Sequence, residues 1–165
     1  MTGPPYRLDT LRTQLTVSID TLRFYLDLVP DALLVDPVVP GHDWGVKMQL
    51  AHLAVYEDQL AAPVLDAMAT SADGREAAPS GSEDWFQRDA QALSGADLSH
   101  ILQTLRAARG RQLQALERFD DESFNRPLTP LWGGLQPAGW VAAKTVQHTW
   151  EHGTPIMQTA LFAPR

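Results

Sequence analysis

The sequence predicts an all-α protein built on four main helices. Three observations carry this. Apolar residues recur at helical spacing in four long segments; proline- and glycine-rich stretches separate those segments; and β-branched residues nowhere alternate with polar ones as strands require. At 165 residues the chain is most simply one domain, residues 1–165, able to bury roughly 70% of its unfolded surface.

Leu8, Leu11, Leu15, Leu22, Leu26 and Val29 define a first helix over about 7–29, stopped by Pro30. Residues 30–43, with three prolines and a glycine, form a connection. Asp43 is the expected N-cap of a second helix carrying Val46, Leu50, Leu53, Val55 and Leu60, which Pro63 should kink or end. Residues 71–82 read as a loop and Glu83–Leu93 as a short helix. Asp97 or Ser99 then caps a third helix, in which Leu98, Ile101, Leu102, Leu105, Leu113, Leu116 and Phe119 keep the period. A second long connection covers 120–136. Pro137 suits the first position of a fourth helix running to about Leu161, interrupted by Pro155. Connections of this length argue against a simple array of consecutive hairpins.

A net charge of −7 without any Lys/Arg cluster is the wrong field for binding nucleic acid. No apolar run approaches the ~20 residues that span a bilayer, so no membrane partner is expected. The N-terminal MTGPPYRLD has neither a basic nor an apolar signal region, and cytoplasmic localisation is the expectation. With no cysteine, any thiol chemistry needs an external thiol.

Trp44-x7-His52 is repeated as Trp140-x7-His148, and one turn later comes His152. Upstream of each Trp/His pair, Asp31, Pro37 and Pro40 are echoed by Asp121, Pro127 and Pro130. Residues four apart share a helix face, so His148 and His152 can bind one ion. If helices two and four are related by a pseudo-two-fold, His52 points at the same axis. The break in that symmetry, Tyr56 opposite His152, puts a phenol beside the site. Read singly, each histidine is an ordinary, partly buried side chain; the repeat makes His52, His148 and His152 candidate metal ligands. His42 in the Pro/Gly connection and His100 in the third helix read as solvated. Among the carboxylates Glu57, Asp58 and Glu151, Glu57 is best placed to orient an imidazole, and Glu151 should face solvent. Trp44, Trp140 and Trp150 read as core or pocket wall, and Trp132 as a lid or packed anchor in a Gly-rich loop.

Trp44-x-x-Lys47-x-x-x-x-His52 followed by His148-x-x-x-His152 near the C-terminus resembles the DinB/YfiT-like superfamily over nearly the whole chain. That group includes bacillithiol- and mycothiol-dependent transferases and isomerases, metal-dependent hydrolases and stress-associated members. The resemblance implies a four-helix bundle of up-down-down-up topology with a long crossover between helices two and three. It also implies a three-histidine site for zinc or nickel and, in many members, a homodimer. Pro155 departs from the pattern and puts the geometry of His152 in question. Three imidazoles leave a coordination position open, the arrangement of catalytic zinc. The leading expectation is a metal-dependent enzyme transferring a low-molecular-weight thiol onto a small-molecule electrophile. A metal-dependent hydrolase and a non-catalytic metal-binding stress protein are the alternatives.

Overall fold

A computed structural model describes residues 5–37, 39, 41–70, 84–127, 129–131 and 134–162. Helix α1 covers Leu8–Leu26; α2 covers Val46–Tyr56 and continues through a π turn, Glu57–Ala61, into α3, Ala62–Thr70. Then follow α4 (Asp84–Ser94), α5 (Leu98–Leu116), α6 (Asp121–Asn125) and α7 (Ala138–Phe162). The loop expected at 71–82 lies outside the described residues.

Helix α1 packs chiefly on α7 and α5, while α2 and α3 pack on α5 and α7. Consecutive helices α1 and α2 are therefore not the principal neighbours, as the long connections predicted. Helix α2 is buried almost all round: Val46, Met48 to Ala51 and Leu53 to Tyr56 are buried, and Lys47 and His52 are half-buried. Two large apolar clusters and a small one around Met48, Val55 and Ala90 fill the bundle. One large cluster gathers Leu15, Tyr56, Leu60, Leu65, Leu116, Phe124 and Val141; the other gathers Leu22, Leu26, Leu50, Leu53, Ile101, Leu105 and Ile156.

Several sequence expectations need correction. Asp43 does not cap α2. The N-cap is Gly45, without a side-chain bond, and a Cβ there would stand 2.0 Å from the Val35 carbonyl oxygen. The loop's close approach, which only glycine permits, sets the start of the helix. Pro63 does not end the helix, since α3 runs on to Thr70. The π turn falls directly before it, where proline removes a backbone donor and the regular ladder must open. Pro155 lies inside α7 as expected, and the helix continues to Phe162. Thr154 Oγ1 donates to the Trp150 carbonyl (2.7 Å), one residue before the carbonyl that the proline leaves free.

The third helix stops at Leu116 rather than including Phe119, which is buried just beyond it. The second long connection is also more ordered than expected. Asp120 caps α6 through a reciprocal box with Ser123, accepting from its backbone N–H at 2.8 Å. Thr129–Leu131 and Gly134–Gln136 then form an antiparallel hairpin, with Thr129 opposite Gln136. Three-residue strands are too short to show an alternating pattern.

Candidate metal centre

Helix α2 supplies His52, and α7 supplies His148 and His152 one turn apart. The Nε2 atom of His148 lies 3.2 Å from that of His52 and 3.1 Å from that of His152. One nitrogen from each ring falls within 4.8 Å of the others. Two nitrogens on a single ion at ~2.0–2.1 Å and the tetrahedral angle stand roughly 3.3–3.4 Å apart, so the cluster has the dimensions of a ligand set.

Hydrogen bonding fixes part of the protonation. Gln49 Nε2 donates to the Trp44 carbonyl (3.4 Å), which turns Oε1 toward His152 Nδ1 at 2.5 Å. An amide oxygen only accepts, so His152 carries its proton on Nδ1 and leaves the Nε2 lone pair toward the cluster. His148 Nε2 meets two nitrogens, and one proton cannot serve both contacts. The arrangement is under-satisfied by hydrogen bonds alone and fits a cation with nitrogen ligands. The Nδ1 atoms of His52 and His148 are buried without a partner among the described residues.

All three imidazoles are held neutral. Burial, then the neighbouring His152, His52 and Lys144 charges, push His148 down to about 2. Burial, then His52, His42 and Lys144, push His152 down to about 4, and burial lowers His52. Neutral imidazole is the ligating form. These shifts also determine an acid response. Below the ordinary value of 6.5 the unfolded chain takes up protons that the folded one refuses, so this stability is complete above that pH and is lost as pH falls toward 4. Metal-free protein should lose on the order of 3 kcal/mol between pH 7 and pH 4.5. Urea unfolding across that range should show the loss, and His148→Gln should flatten the slope.

Aromatic rings wall the cluster. Trp44 stacks on His152, with centroids 5.7 Å apart and planes at 15°, and lies 5.0 Å from His52. Tyr56 packs on His148 with centroids 4.3 Å apart. Its buried hydroxyl has no hydrogen-bond partner among the described residues. The Thr145 hydroxyl, which donates to the Val141 carbonyl at 3.0 Å, lies close enough to act on the phenol. Burial, opposed by Thr145 and reinforced by Glu57 and Glu151, raises the phenol well above its ordinary value. Trp140 is half-buried against the apolar cluster that contains Tyr56, and Trp132 lies outside the described residues. His42 is exposed in the loop before α2, yet its charge is felt at His152. His100 is exposed.

None of the three carboxylates orients an imidazole. Asp58 pairs with Arg111 at 2.6 Å, and exposed Glu151 accepts from Gln147 at 2.6 Å. Fully buried Glu57 is committed to α5. Arg109 Nε donates to its Oε2 at 2.8 Å and Gln112 Nε2 to the same oxygen at 2.7 Å, while Arg109 Nη2 pairs with Oε1. Complete burial pushes the Glu57 carboxyl up, against the pull of Arg109 and Gln112. Arg109 reaches further, to the Leu15 carbonyl, to Ser18 Oγ (3.0 Å) and to Thr149 Oγ1 (2.9 Å). Thr149 directly follows His148, so the network braces the ligand helix from behind.

Sequence reasoning missed Gln49 and Arg109, although the helical register held a signal for both. Gln49 sits one turn before His52, and Arg109 lies in the buried stripe of Leu105, Gln112 and Leu116.

A profile of the DinB superfamily matches residues 14–156. The chain belongs to the DinB superfamily. Among solved structures, the crystal structure of the mycothiol-dependent maleylpyruvate isomerase superposes with a TM-score of 0.72 at 14% identity. The match covers 91% of this DinB chain and 60% of that protein, so the chain spans less than two thirds of its neighbour's length. At that identity the likeness is one of fold. No match was found among curated proteins. No helix among the described residues is long and apolar enough to cross a membrane.

Proposed function

We propose that His52, His148 and His152 hold one divalent metal ion, zinc or nickel, in an enzyme that transfers a low-molecular-weight thiol to a small electrophile. The observation that carries this reading is the convergence of three neutral imidazoles, with the His152 proton held on Nδ1 by Gln49. A metal bound there supplies the Lewis acidity that keeps a thiol as its reactive thiolate. Gln49 orients His152, and Trp44 limits rotation of the His52 and His152 rings. Tyr56 stays protonated through the physiological range and offers an O–H to negative charge developing on a substrate. The absence of cysteine permits an external thiol, and the description of the structural neighbour as mycothiol-dependent supports one.

The test is metal-loaded protein incubated with bacillithiol, mycothiol or glutathione and monochlorobimane. A C–S bond forms, the C–Cl bond breaks, chloride leaves and the thiol proton passes to solvent. Conjugate should form faster than in buffer, and His52→Ala should abolish the excess. No conjugate with any of the thiols, together with ester or amide cleavage, would instead favour the hydrolase.

A further inference from the structure

A cavity of about 220 Å³ lies between the start of α2, the loop before it and the end of α4. Its lining includes Asp43, Trp44, Lys47, Met48, Gln91 and Ser94. Trp44 is the shared wall, since the indole that lines the cavity also packs on His52 and stacks on His152. The cavity therefore lies one aromatic ring away from the candidate metal ligands.

Its chemistry is polar and of two signs. Lys47 is half-buried and Asp43 exposed, one helical turn apart in sequence, and neither has an ion pair among the described residues. What distinguishes them is that two opposite charges, neither used in an ion pair, line one cavity. A ligand with both a carboxylate and an ammonium group would satisfy each through charge-assisted hydrogen bonds. The Ser94 hydroxyl and the Gln91 amide add neutral polar groups along the same wall.

We infer that this cavity binds the polar body of a zwitterionic thiol, with Lys47 taking its carboxylate and Asp43 its ammonium. The ligand lies along Trp44 and presents its sulfur toward the imidazoles. The inference rests on the thiol-transfer reading and sharpens it, because it selects a charged thiol of the glutathione type over a neutral sugar thiol such as mycothiol.

S-Methylglutathione tests the cavity apart from the metal, since its sulfur cannot become a thiolate. Titration calorimetry with the full chain, with and without zinc, should show binding in both forms. Lys47→Glu should weaken that binding at least tenfold while leaving zinc content and melting temperature unchanged. No binding to either form would overturn the inference, as would equal binding by Lys47→Glu or tighter binding of S-methylmycothiol. Binding that persists in a protein unable to hold zinc would support the cavity while overturning the metal-dependent function.

Discussion

Replacing Arg109 with alanine is expected to destabilise the protein by about 3–5 kcal/mol, because it strips the partner from a fully buried carboxyl. The guanidinium sits where four elements meet: Leu15 and Ser18 on α1, Glu57 in the π turn, Gln112 beside it on α5, and Thr149 on α7. Removing it leaves Glu57 with only Gln112 and frees the Ser18 and Thr149 hydroxyls from their guanidinium contact. For a chain of this size the melting temperature should fall by roughly 10 °C. The double variant Glu57→Leu, Arg109→Met should recover much of the loss, since an apolar pair carries no desolvation cost. Urea unfolding measures both. A loss below about 1 kcal/mol in the single variant would mean that the network does not brace the bundle.

The second large effect concerns the metal. Zinc at a thousandfold excess over its dissociation constant should add about 4 kcal/mol, or roughly 10 °C, to the wild type. His148→Ala should show no such gain, because the Nε2 of His148 faces both other ligand atoms. Calorimetric scans of the two proteins with and without zinc provide the comparison. An equal zinc-dependent shift in His148→Ala would place the ion elsewhere.

Much of this architecture was legible because it depends on periodicity. The four long helices follow from apolar spacing, and the second His pair from residues four apart on one face. The placement of Tyr56 against His148 follows from the same geometry, one turn beyond His52. What escaped depends on particular neighbours in space. Glu57 reads as a free carboxylate near a histidine until α5 is in place. Only then does Arg109 claim it, drawn into the core because its helical register leaves no route to solvent. Gln49 looks like an ordinary polar residue until His152 arrives from a segment 103 residues away. At Pro63 local rules allow either a kink or an end, and the π turn and tertiary packing carry the helix through; Pro155 lies inside α7, as the apolar spacing out to Leu161 predicts. Asp43 met the rules for an N-cap, yet the approach of Val35 to Gly45 set the start of α2.

The thiol-transfer reading of this DinB chain depends on whether three imidazoles hold an ion. Elemental analysis of protein purified without a histidine tag and without added metal tests that directly. Close to one zinc or nickel per chain is expected, falling to background in His148→Ala. Less than about 0.2 metal per chain, unchanged by that substitution, would contradict the account at the affinity expected of such a site.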